Sequence, residues 1–194
     1  MKVAFGLKAH SGWAALVVLG AARGGLEVID RRRLELVPEG ESEWAKQPYH
    51  AAENLDPPGA RDMVRRGVQS ARRNATREMR AGVDRAREAG HEVAGCAVLM
   101  GEPMPDWSVD EILAVHFRMH KAEGVLFREA LARAADECGL RLMAIPEKRL
   151  NAHAGDGLVS RIANLGKTAG PPWAKDQKEA ALAALIALEG GARR

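Results

Sequence analysis

Residues Lys2 to Leu36, KVAFGLKAHSGWAALVVLGAARGGLEVIDRRRLEL, constrain the fold more than any other stretch of the chain. Val3, Phe5 and Leu7 alternate with Ala4, Gly6 and Lys8, the two-residue period of a strand. Ala9-His10-Ser11-Gly12 then reverses the chain. Trp13 to Leu19 follows as an unbroken apolar run, as a strand covered on both faces requires. Gly20 to Gly25 supplies a second turn. Leu26, Val28, Leu34 and Leu36 mark a third strand. The charged Asp30-Arg31-Arg32-Arg33 within it suits a sheet edge, where charge discourages pairing with another chain.

Helices and strands alternate from there on. Pro38 to Pro58 is a polar excursion too long for a simple connection, and such loops often carry function. It holds Trp44, Tyr49 and His50, and the last two are either pinned on the surface or reach into a site. Gly59 to Gly90 reads as one long helix, with Ala60, Val64, Val68, Ala71, Ala75, Met79, Gly82 and Ala86 recurring at spacings of three and four. Its other faces are rich in arginine, Arg65, Arg72, Arg73 and Arg77 among them. Such a row either tracks phosphates or forms a solvated face laced with ion pairs.

His91 to Met100 reads as a fourth, central strand. Ser108 caps the next helix, Glu111 completes its capping box, and the helix is expected to run to Cys138 and stop at Gly139. Arg141 to Ile145 is a fifth strand ended by Pro146. Asn151 to Gly157 reads as a loop, Leu158 to Leu165 as a short helix, and Trp173 to Leu188 as the last helix before a frayed tail over 189–194.

Composition narrows the function classes. The 194 residues suffice for one domain with its own core. The chain is 46% hydrophobic and only 4% aromatic, so its helices can lie close on a sheet. A net charge of +3 is too mild to argue nucleic-acid binding without a local concentration of charge. Cys96 and Cys138 are far apart and form no CxxC pair, so reduced core thiols are expected. Lys8 and His10 interrupt the first apolar run before it can serve as a signal peptide. No apolar stretch spans a bilayer, so the expected compartment is the cytoplasm, with no membrane partner.

The order β-β-β-α-β-α-β-α gives a mixed sheet with helices on its faces. It resembles the ribonuclease H-like fold, in particular the branch of RuvC-type Holliday-junction resolvases, over residues 2–188 or so. The resemblance implies an α/β fold with a mixed five-stranded sheet. It also implies an acidic cluster holding two divalent ions, Mg²⁺ or Mn²⁺, that cleave phosphodiesters through an activated water. In that family an aspartate closes the first strand, another acid follows the fourth, and further acids begin the last helix. Glu102 and Asp176 match the second and third positions. Asp176 shares a helix face with Ala180, Ala183 and Ala187, the smooth side that would meet the sheet. At the first position stands Lys8, which cannot ligate a metal while protonated. It pairs with Glu102 or Asp176, meets a phosphate, or lies in solvent.

One further cluster stands out. Ile112, Val115, Met119, Leu126, Phe127, Ala130 and Ala134 form an apolar helix face, and His116, His120 and Glu123 fall inside its arc. Histidines four apart on a helix can share a metal. The alternative is a hydrogen-bonded polar cluster at the sheet surface or at a dimer interface.

The expectation is a nucleic-acid-associated protein, nuclease- or resolvase-like, that is either an active divalent-metal-dependent phosphodiesterase or one whose active site Lys8 has made degenerate. Glu102, Asp176 and His116 are its candidate metal ligands, and Lys8, Glu123 and His120 complete the candidate catalytic set. Arg65, Arg72, Arg73 and Arg77 are its candidate phosphate contacts. The alternative is a non-catalytic assembly module, a homodimer joined through the histidine patch.

Overall fold

The computed structural model describes residues 1–22, 24–37, 40 and 43–192. Its sheet contains β1 (Lys2–His10), β2 (Trp13–Ala22), β3 (Gly25–Glu35), β4 (Glu92–Met100) and β5 (Leu142–Pro146) in the order β3-β2-β1-β4-β5. β2 runs antiparallel to both β1 and β3, while β1, β4 and β5 are parallel to one another. This is the mixed sheet expected of a ribonuclease H-like fold, with the arginine-bearing β3 at an edge. The three parallel strands finish at one rim, which brings His10, Met100 and Pro146 to the same side. In open α/β sheets that rim is where ligands bind.

The helices are α1 (Pro48–Ala52), α2 (Pro57–Glu88), α3 (Val109–Leu113), α4 (His116–Glu137), α5 (Leu150–Ala169) and α6 (Lys175–Ala192). The strand pleat sorts β1 between two cores. Val3, Phe5 and Leu7 pack with Met79 of α2 and Leu131 of α4 on one face. Ala4 packs with Ile162 of α5 and Ala180 and Ala184 of α6 on the other. Gly6 sets the closeness of that second contact. A Cβ there would overlap the Ala180 carbonyl oxygen and stand 2.6 Å from the Ala184 nitrogen. The small-residue stripe of α6 therefore rides directly on β1, and its first turn comes over the end of the strand.

Four expectations about the elements change. The helix expected from Ser108 to Cys138 is two helices. The Ser108–Glu111 capping box is present, but Val115 is extended (φ −141°, ψ 113°) and splits α3 from α4. Arg118 Nη1 donates to Glu111 O at 2.9 Å and satisfies a carbonyl that the break leaves free. Val115, expected on the apolar face, is 40% exposed.

The excursion over 38–58 contains α1, while residues 38, 39, 41 and 42 lie outside the described residues. α5 is one continuous helix where a loop and a short helix are expected. Leu150 and Ile162 are buried against α6, and that packing carries the helix through its glycines. α6 continues to Ala192 rather than fraying from 189, with Glu189 paired to Arg161 at 3.0 Å, and residues 193–194 lie outside the described residues. Both cysteines are free, and burial pushes the Cys96 thiol up to about 12. No described helix is long and apolar enough to cross a membrane.

Candidate functional site

At the rim of the sheet, the pleat that sends Leu7 into the α2/α4 core points Lys8 towards α6. Only 5% of Lys8 is exposed. Its Nζ lies 3.3 Å from Glu147 Oε1 and 3.2 Å from Asp176 Oδ1, and it donates a hydrogen bond to Glu179 Oε2. Glu147 follows β5 directly, and Asp176 and Glu179 stand one turn apart at the start of α6. Burial alone would lower the lysine's pKa. The hydrogen bonds to Glu179 and Asp176 and the charges of Glu179 and Glu147 outweigh it, so the pKa is raised above the usual 10.5 and Lys8 stays a cation.

Neighbouring charges complete the balance. Arg128 of α4 donates to Glu147 Oε2 at 2.8 Å, and Lys175 Nζ is 3.8 Å from Glu179 Oε1. Lys8, Arg128 and Lys175 thus stand against Glu147, Asp176 and Glu179, cation for anion. A Cβ on Gly101 would come within 2.6 Å of Arg128 Nη1, so that glycine makes room for the guanidinium. His10 Nε2 lies 3.2 Å from Asp176 Oδ2, and its ring stacks on Trp13 at 4.3 Å. The residues do not fit a divalent-metal centre. The ammonium already takes the contacts a metal would make with these carboxylates, and its charge repels a second cation.

Beside this cluster lies a cleft of about 730 Å³, lined by Glu102, Arg128, Glu147, Lys148, Lys175 and Glu179 among others. Glu102 follows β4, as expected, but pairs with Lys148 at 3.1 Å and is largely exposed. It is Glu147, one strand further on, that joins Lys8.

On the other side of Arg128, Glu123 is buried. Its Oε1 accepts from the Tyr49 and His50 backbone N–H groups at 2.8 and 3.3 Å, which ties α4 to α1. Burial pushes its carboxyl up to about 7 against the pull of those two bonds. His50 Nδ1 lies 3.4 Å from Glu123 Oε1, and His116 and His120 gather about His50. Tyr49 is buried and His50 half-buried, so this pair reaches inward from the excursion.

The arginines divide. Arg65 is paired with Asp62 and hydrogen-bonded to Gln69, on a solvated face. Arg72, Arg73, Arg77 and Arg80 of α2 and Arg133 of α4 line a furrow of about 610 Å³ between the two helices, with Asp84 and Glu137 as its acids. Arg133 is paired with Glu137 and Arg77 with Glu78.

The expected ligands Glu102, Asp176 and His116 therefore do not form one centre. Asp176 belongs with Lys8, Glu102 with Lys148, and His116 with His50 and His120. The reason is the partner each side chain meets: Glu102 is exposed and turned to Lys148, and His116 opens α4 against His50 of α1. Glu147, Glu179, His10 and Arg128 were not singled out by the sequence. Signals existed for two of them: Asp176-x-x-Glu179 places two acids on one helix face, and Glu147 follows a parallel strand as Glu102 does.

Neither a protein-family model nor a curated protein matches the sequence. Solved structures share its fold, two of them being structures of RuvC. The Thermus thermophilus RuvC structure superposes with a TM-score of 0.51 at 13% identity, over 95% of this chain and 92% of that one. T. thermophilus RuvC in complex with a Holliday junction substrate gives a TM-score of 0.51 at 12% identity, over 96% and 92%. The fold of the chain is ribonuclease H-like.

Proposed function

We propose that this chain, a ribonuclease H-like protein with a lysine at the heart of its acidic cluster, binds nucleic acid without cutting it by metal-dependent hydrolysis. The observation that carries this reading is the Lys8 ammonium among Glu147, Asp176 and Glu179. Mg²⁺ or Mn²⁺ at this rim, as the fold family employs, would have to displace a buried, triply paired cation. Glu102 and Asp176 therefore serve charge balance here, and the rim offers His120 and Glu123 no Mg²⁺- or Mn²⁺-bound water to position.

Binding rests on the arginine furrow. Among the described residues, Arg72 and Arg73 form no ion pair within 4 Å, so their guanidiniums are available to meet phosphates. The likeness to RuvC, one structure of which holds a Holliday junction, favours branched duplexes as the first substrates to try. Fluorescence anisotropy of labelled four-way and linear duplexes across a salt series tests the reading. Binding that weakens steeply with salt supports it, and binding that is absent at low salt or indifferent to salt overturns it.

A second reading is favoured by Phe117, which is 71% exposed beside His116. A bare aromatic ring at that place suits a face covered by a second copy of the chain, in a homodimer with an assembly role. Sedimentation of the wild type and of Phe117→Ser tests it: a dimer lost in the variant supports it, and a monomer in both overturns it.

A further inference from the structure

Three imidazoles from two helices converge at a place that the Lys8 cluster does not use. His116 and His120 lie one turn apart on α4, and His50 comes across from α1. One nitrogen from each ring can be chosen so that all three lie within 4.8 Å of one another. The Nε2 atoms of His116 and His120 are 3.1 Å apart. The ring centroids of His50 stand 4.6 Å from His120 and 5.3 Å from His116. We propose that His50, His116 and His120 form a binding site for a divalent transition metal of the zinc class.

The spacing fits the chemistry. Zinc–nitrogen bonds of about 2.0–2.1 Å hold tetrahedral nitrogens about 3.3 Å apart, so the His116–His120 pair already stands at ligand separation. Closing His50 onto the same point requires a side-chain adjustment of an ångström or so, on the order of what a rotamer change supplies. Imidazole nitrogens select Zn²⁺, Co²⁺, Ni²⁺ or Cu²⁺, whereas Mg²⁺ and Ca²⁺ require oxygen.

The surroundings carry the proposal further than three histidines alone. Histidine ligands are commonly oriented by a carboxylate behind the nitrogen that does not bind the metal. Two of the three have one here. Glu123 Oε1 lies 3.4 Å from His50 Nδ1, and Glu53 Oε1 lies 3.5 Å from His116 Nδ1. In both cases the carboxylate stands at Nδ1, which leaves Nε2 for the centre of the cluster. His50 Nε2, the nitrogen left for the centre, is buried without a hydrogen-bond partner, as is Glu123 Oε2. Buried polar atoms in that state call for a bound species. Three protein nitrogens also leave a fourth tetrahedral position. A cavity of about 290 Å³ bounded by His10, His120, Glu123 and Arg128 adjoins the cluster.

The test uses the full chain, freed of any affinity tag and stripped with a chelator. Co²⁺ is titrated in and read by its visible d–d absorption, then displaced with Zn²⁺, with thermal unfolding followed in parallel. The expected result is one Co²⁺ per chain, full displacement by Zn²⁺ but not by Mg²⁺, and a melting temperature that rises with Zn²⁺ concentration. His50→Ala and His120→Ala each abolish the spectrum, and Glu123→Gln weakens binding by about 10–100-fold. His116→Gln and His120→Gln, at exposed positions, replace any alanine variant that circular dichroism shows to be unfolded. A wild type with neither spectrum nor thermal shift overturns the proposal. So does binding that survives the loss of His50 and His120.

Discussion

Lys8 Nζ lies 3.2 Å from Asp176 Oδ1, and this contact joins the end of the first strand to the first turn of the last helix. In a ribonuclease H-like fold those two elements are brought together by packing, whatever they carry. Gly6 lets α6 approach β1 until Ala180 and Ala184 touch it, and Asp176 and Glu179 then have to find a cation at the rim. Here the chain supplies that cation itself.

Replacing Lys8 by methionine removes the cation and leaves three carboxylates facing one another. Losing one partner of a buried ion cluster costs about 3–5 kcal/mol. The carboxylates are 23–28% exposed, so water relieves part of their repulsion and the low end of that range is expected. Urea denaturation measures the loss, and Mn²⁺ restores part of it because the freed carboxylates can then bind a divalent ion. A variant as stable as the wild type, or one indifferent to Mn²⁺, contradicts this.

The pH dependence of the cluster follows from the raised pKa of Lys8. A cationic group whose pKa is higher folded than unfolded stabilises the fold fully below the unfolded value, here 10.5. That contribution is lost as pH climbs through the folded value. The stability gap between wild type and Lys8→Met is therefore expected to hold from neutral pH to about 10 and to shrink only in stronger alkali. Urea midpoints at stepped pH check it. A gap that closes between neutral pH and about 9 contradicts it.

Gly6→Val pushes a side chain into the backbone of α6. Overpacking of a tight contact costs about 1–3 kcal/mol and sometimes more. The upper end is expected, because the atoms in the way belong to the main chain at Ala180 and Ala184. The urea midpoint reports the cost, and an unchanged midpoint would show that α6 does not ride on β1 as described.

In the furrow, Arg72, Arg73 and Arg77 face solvent together. Substituting all three by alanine is expected to lower duplex affinity at low salt. It should also flatten the slope of log K against log salt by about 0.9 for each phosphate no longer neutralised. Arg65→Ala, at a side chain already held by Asp62, is expected to change the slope little. Equal effects of the two changes would remove the furrow from the account.

Much of the fold was legible in the sequence because period and turn chemistry act locally. The alternation from Val3 to Leu7, the apolar run of β2 and the Ser108–Glu111 cap each write an element into a few adjacent residues. The break at Val115 left no such mark. Ile112, Val115 and Met119 keep helical spacing across it, and what stabilises it is Arg118 reaching back to Glu111.

The site was half legible. Lys8 and Asp176 stood out because each departs from its local pattern. Glu147 did not, because it gains its meaning from a strand distant in sequence, and His50 was noticed only as a loop residue because its partners lie on α4. Glu102 stood where the resemblance led one to expect a ligand, and its side chain pairs with Lys148 instead of Lys8.

The most direct measurement is incubation of the purified chain with four-way and linear DNA in Mg²⁺ and in Mn²⁺, read on denaturing gels beside binding in the same buffers. The expected result is DNA bound, dependent on salt, and left whole in both metals. Metal-dependent cleavage that disappears in Asp176→Asn would contradict it, because those carboxylates would then be holding a metal despite Lys8.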